Sequence, residues 1–331
     1  MPIAKISSAL MAAVVVAGIL ALLSLLLVIR IPSASEWTRV SLNASHGPIF
    51  AAVAILVAVL LARRRRSTRA SAWPDWPLYV TAVAISVTLG ALIEFLQGFS
   101  GRPPSLFDVM TDTAGAVAGL SAWTLATRPA QDGPRGGGGR SPWLVVALGL
   151  LGLAFVLWRP LHVANAYAHR AAAFPVIAEF SGERGLDFVT TDGVAAAIGD
   201  VPAPWARKAG ERALEIRYDP RHPPAVQFVE PQPDWRAFSV IAVDLTNVAP
   251  SDLTLVLRIL DATHDWSHED RFNLPLVIPA QTRTTVRVAL PAVEAAPATR
   301  RMDMARIANV MLYARPSATP GALYVSRVWL E

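Results

Sequence analysis

Cysteine is absent from the 331 residues. Disulfides, thiolate metal sites and cysteine nucleophiles are therefore excluded, and any domain exposed outside a cell must rest on its own packed core. Charge is scarce too. Asp, Glu, Lys and Arg make up 17% of the chain, against about 25% in an ordinary soluble domain. The deficit lies mostly before residue 160, where long apolar runs take its place, and residues 180–331 have ordinary globular composition. Walker, zinc-ligand and nucleophile-elbow patterns are also missing, so no reaction can be read from motifs. His264 and His268 stand four apart, but in a loop of β context that lacks the helix this spacing needs, and no transition-metal site is expected.

The net charge is +5, which raises the question of nucleic acid. The clearest basic run, Arg63 to Arg66 with Arg69, directly follows an apolar segment. Such a juxtamembrane cluster is a topology signal that touches anionic lipid, so membrane lipid is expected as a partner and nucleic acid is not. Lys5 and Arg30 bracket about 24 uncharged residues, enough to cross a bilayer. That run exceeds the about 7–15 residues of a signal-peptide core, and no convincing cleavage site precedes Arg30, so a retained helix is expected. Further apolar segments cover roughly 46–62, 78–97, 107–127 and 142–158, the last flanked by Trp143 and Trp158 in the manner of an interfacial belt.

Five spans follow. The arginine-bearing loops 63–77 and 128–141 should be cytoplasmic, which places the N-terminus inside and the C-terminal region outside a cell membrane. The expected organisation is a transmembrane bundle over 1–128, a Gly-rich cytoplasmic linker over 129–141, a tethering span over 142–159 and an extracytoplasmic β-domain over 160–331.

Under that topology several polar residues gather at one membrane face. His46 opens the second span, Glu94 and Gln97 close the third, Arg102 lies in the following loop, and Asp108 opens the fourth. Glu94 and Gln97 are three apart and share a helix face. Asp108, Asp112, Gly115 and Gly119 form a second stripe, whose glycines allow close helix contact. Ionisable residues in spans face a bundle interior or a watery cavity. Two readings stand side by side: a satisfied cluster that pins helices together, or a cleft with His46, Glu94 and Asp108 as acid–base candidates and Gln97, Arg102 and Asp112 as ligand contacts.

The run Glu94-Phe-Leu-Gln97, Gly101-Arg102-Pro-Pro-Ser105-Leu-Phe-Asp108 and Gly115-Ala-Val-Ala-Gly119 resembles the signature of VanZ-like membrane proteins over about residues 40–125. His46 matches the histidine that opens an earlier span in that family. Asp112 stands where Asn is expected, and Asn43 where Lys often occurs, so this cluster is the more acidic. The resemblance implies a cell-envelope role without a reaction.

Beyond Arg159-Pro160 the pattern turns from continuous to alternating. Runs at 213–218, 238–246, 253–260, 284–290, 308–314 and 323–330 read as strands, with a short helix at about 303–307, and together they predict an all-β antiparallel sandwich or jelly roll. Trp235 and Trp329 lie in strand patterns and are expected in its core. Order and spacing over about 205–331 resemble the galactose-binding-like sandwiches found as carbohydrate-binding modules, and this implies a glycan ligand. Trp266, with Asp265, His268 and Arg271 nearby, is the first candidate for a sugar platform, and Trp205 the second. No cofactor is expected apart from a structural calcium that loop carboxylates would suit.

Three functions remain open at this point. The leading one is an envelope protein that recognises a glycan or lipid-linked component. The others are a membrane enzyme on a lipid-linked substrate and an anchor whose sandwich binds another envelope protein.

Overall fold

The computed structural model describes residues 8–28, 35–65, 75–99, 104–127, 142–265, 267–314 and 320–331. The chain divides into two compact units, Met1–Ala164 and Asn165–Glu331.

The first unit is helical: α1 (Ser8–Val28), α2 (Glu36–Ala44), α3 (His46–Arg65), α4 (Trp76–Gly98), α5 (Leu106–Ala126) and the opening of α6 (Pro142–Ala173). Local chemistry sets the starts. Ser35 accepts the Thr38 N–H, Asp75 accepts the Leu78 N–H, and Ser105 accepts the Asp108 N–H, each satisfying a donor that the first turn leaves open. Three stretches, Glu36–Arg63, Trp76–Gly98 and Trp143–Ala173, are long and apolar enough to cross a membrane.

Polarity in this unit runs opposite to that of a water-soluble bundle. On α4, Phe95 is 61% exposed and its neighbour Glu94 only 3%. Leu150, Leu151 and Trp158 stand exposed on α6, whereas His46, Asp108 and Asp112 are buried. Leucines outside and carboxylates inside suit a hydrocarbon solvent, and the protein is a membrane protein. Small residues let the helices meet. A Cβ on Gly115 would come within 2.1 Å of the Gly47 carbonyl oxygen, and one on Gly119 within 2.7 Å of Ala51 Cα, so α5 lies backbone to backbone on α3.

Two expectations change here. The segment at 36–44, read as loop, is the short helix α2. The tethering helix does not stop near residue 158 but runs through Pro160 to Ala173, because its Ala-rich continuation (residues 164–173) favours helix over strand.

The second unit is an antiparallel sandwich of jelly-roll type. Its strands are β1 (Val176–Glu179), β2 (Val189–Thr191), β3 (Ala195–Asp200), β4 (Arg212–Tyr218), β5 (Ala225–Val229), β6 (Val240–Asn247), β7 (Leu253–Asp261), β8 (Phe272–Ile278), β9 (Thr282–Ala289), β10 (Ile307–Ala314) and β11 (Gly321–Leu330). One sheet has the order β3-β4-β11-β6-β9, with β1 also on β11, and the other has the order β2-β5-β10-β7-β8. Inward positions of both sheets supply the core, among them Leu214, Ile216, Ile241, Leu245, Leu255, Leu257 and Ile259. Trp235 is wholly buried there, its Nε1 donating to the Gln232 carbonyl at 2.7 Å. Trp329 is not in the core. It lies half-buried, with Arg327 over its ring and Nε1 bonded to Glu331, because its neighbours Val328 and Leu330 take the inward positions. The expected helix at 303–307 is a turn leading into β10, and the short helix of this region is α7 (Leu290–Glu294).

Candidate functional site

Inside the bundle the predicted residues converge. His46, Glu94, Gln97, Asp108 and Asp112 are each at most 3% exposed. His46 Nδ1 lies 3.0 Å from Asp112 Oδ1, and one ligand-type atom each from His46, Glu94 and Asp108 falls within 4.8 Å of the others. Ser105 joins the two helix ends: its backbone N–H donates to Glu94 at 2.7 Å, while its hydroxyl caps α5 through the Asp108 N–H. The spacing of Ser105 and Asp108 is thus that of a helix cap. Gly90 makes room for Asp112, whose Oδ2 would lie 2.6 Å from a Cβ there. A histidine held by one carboxylate beside two more is suited to proton transfer or to a cation. Arg102 lies outside the described residues. Among the described residues the cluster is enclosed by helices.

Of the loop residues predicted in the sandwich, Trp266 lies outside the described residues. Asp265 and His268 are exposed, and Asp265 accepts the Ser267 N–H. Trp205 is half-buried. Its Nε1 donates to the Gln281 carbonyl at 3.0 Å, and its ring packs on the small cluster of Val201, Ala213 and Tyr324. His264, Asp265 and Asp270 form a second group of metal-ligand type. Arg300 already grips it, with Nε and Nη2 on Asp270 at 2.5 and 2.9 Å and Nη1 and Nη2 on Asp261 at 2.5 and 2.9 Å. That guanidinium brings positive charge to both carboxylates, and it holds the Asp270 carboxyl down at about 2. In the other sheet, Arg283 does the same for Glu211, also at about 2.

A surface that residue-by-residue reading missed is the outer face of the second sheet. Strand register aligns Thr190, Gln227, Met311, Arg258 and Asn273 in one row across all five strands. Four inter-strand steps of about 4.8 Å make that row about 19 Å long. Arg258 Nε donates to Asn273 Oδ1 at 2.8 Å, its Nη2 donates to the Tyr313 hydroxyl, and its guanidinium sits 4.5 Å from the Tyr313 ring centre. Asn309 Nδ2 donates to Gln227 Oε1 at 3.0 Å. The signal in the sequence was Arg258 itself, a charge at an outward position between the buried Leu257 and Ile259.

The second unit also has a cavity of about 660 Å³ lined by His169, Arg170, Glu183, Arg184, Phe188 and Phe228, among others. The Arg170 guanidinium is stacked between the Tyr167 and Phe188 rings, at 4.6 and 3.9 Å from their centres. The Tyr167 hydroxyl donates to Glu230.

Residues 22–127 match the VanZ/LLP1 family model. This region is a VanZ-like domain. It contains all five clustered side chains, together with the Ser105 cap and the Gly115–Gly119 contact. No curated protein matches the chain. Among solved structures, the second unit is similar to an exo-β-agarase at 12% identity and a TM-score of 0.39, over 47% of this chain and 24% of that one. It is also similar to a family 28 carbohydrate-binding module specific for non-crystalline cellulose (14%, TM-score 0.36, 48% and 93%). A third is the family 11 module from Clostridium thermocellum in complex with a mixed-linked tetrasaccharide (13%, TM-score 0.33, 46% and 91%). The chain thus spans about a quarter of the length of the agarase.

Proposed function

We propose that this is a cell-envelope protein whose VanZ-like bundle is embedded in the membrane and whose sandwich binds a saccharide outside the cell. The observation that carries the saccharide reading is the row on the second sheet. Hydroxyl, amide and guanidinium groups at fixed strand spacing match the alternating donors and acceptors of a sugar chain, and Met311 and Tyr313 offer apolar contact. Arg258 is held from two sides, so its remaining donors are oriented before a ligand arrives. The arginine run that follows the α3 apolar segment supports an outward-facing sandwich. Full-length protein in nanodiscs on a glycan array tests this reading. Binding that Arg258→Ala and Asn273→Ala abolish is expected, and silence across envelope polysaccharides would remove it.

A second reading makes the VanZ-like domain an enzyme on a lipid-linked substrate. It is favoured by the 3.0 Å contact of His46 with Asp112 beside Glu94 and Asp108. On that reading the enclosed cluster opens to admit the substrate, and Arg102 holds its charge. Chromatography of a polyprenyl-linked oligosaccharide after incubation would show product that His46→Ala and Glu94→Gln eliminate. An unchanged substrate would discard the reading.

A further inference from the structure

Most arginines of the sandwich lean on a carboxylate. Arg212 meets Glu183, Arg217 meets Glu215, Arg283 meets Glu211 and Asp244, and Arg300 meets Asp261 and Asp270. Two on the outer face of the second sheet do not. Arg258 is bonded only to the neutral groups of Asn273 and Tyr313, and Arg271 has no ion pair among the described residues. Arg271 precedes Phe272, which points into the core, and stands two positions before Asn273, hence on the same outward side as the row. Its Nε is buried and donates to nothing described. Burial lowers the proton affinity of Arg258, and the charge of Arg271 lowers it further. A fold that balances most of its other arginines with carboxylates thus keeps two cations near one another at the end of the row.

Resting on the saccharide-binding reading above, we infer that the ligand is acidic, with an oxyanion on the sugar, and that Arg258 and Arg271 bind that group together. Guanidinium forks match the paired oxygens of a carboxylate and serve phosphate and sulfate esters by the same geometry. The anion would supply the charge that no described side chain supplies, and the neutral part of the row would hold the adjoining sugar rings. Because the guanidinium pair is partly buried, the contact is screened less by salt than one between exposed charges.

Titration calorimetry on the full chain in nanodiscs of neutral lipid tests this. The probes are a galacturonic acid oligomer, the same oligomer with its carboxylates reduced to alcohols, and a sulfated neutral oligomer. The uronic oligomer should bind at least tenfold tighter than its reduced form, and Arg271→Gln should erase that advantage. Arg271→Lys, which keeps the charge but not the fork, should retain part of it and guards against a folding artefact. Preference for the sulfated probe with the same arginine dependence would support the oxyanion and identify it as an ester. Equal binding of acidic and reduced oligomers would overturn the inference and leave the saccharide reading intact. Failure of every oligomer to bind would overturn both.

Discussion

The two units solve opposite solvent problems with the same alphabet. The bundle hides His46, Glu94, Asp108 and Asp112 and shows Leu150, Leu151 and Phe95, whereas the sandwich hides Trp235, Ile241 and Leu257 and buries carboxylates such as Asp244 and Asp261 only beside arginines. In the sandwich, apolar burial drives folding and arginine–carboxylate pairs tidy the surface. In the bundle, hydrocarbon outside removes that drive, and close backbone contact at Gly115 and Gly119 together with a buried polar interior takes its place. The contrast teaches where to look for function. Polar groups are expected on the sandwich surface, so only their pairing and alignment are informative, but any carboxylate inside the bundle is conspicuous.

The largest break in this comparison should come from the sandwich core. Trp235→Ala removes a fully buried indole and should cost about 3–5 kcal/mol, read as a lowered unfolding midpoint in denaturant. Next is a paired test of solvent. Leu151→Arg on α6 should disfavour insertion by about 3 kcal/mol, whereas Val277→Arg, on the similarly exposed outer face of the sandwich, should change stability by no more than about 0.5 kcal/mol. Insertion assays for the first and melting for the second compare them, and equal effects would erase the proposed difference. Gly115→Ala should destabilise the bundle by about 1–3 kcal/mol through overpacking, although alanine is the better helix former; monodispersity and thermal unfolding in detergent report it.

Acid gives the smallest and most gradual effect. Asp270 and Glu211 have folded values of about 2, below their ordinary values, so their contribution is fully present above the unfolded range near 4. It is lost as pH falls from about 4.5 towards 2. Arg300→Met should flatten the part of that acid slope due to Asp270, measured by melting of the protein across this range.

Much of this was legible in the sequence, and the rest was hidden for physical reasons. Apolar length marks α3, α4, α5 and α6, and spacing alone brings His46, Glu94, Asp108 and Asp112 together. Long alternating strands such as β7 and β11 were equally plain. Strands β1, β2 and β5 are five residues or fewer, too short for periodicity to register. The row on the second sheet was invisible because register joins residues 190, 227, 258, 273 and 311, which share no local pattern. Tryptophan content drew the reading to Trp205, whose Nε1 bond to the Gln281 carbonyl no local pattern announces.

The central claim is that the outer face of the second sheet receives a saccharide. Hydrogen exchange of the full chain with and without a bound uronic oligosaccharide tests it most directly. Slowed exchange confined to peptides from β5, β7, β8 and β10 is the predicted result. Protection centred instead on residues 166–189, around the cavity beside Arg170, would contradict it.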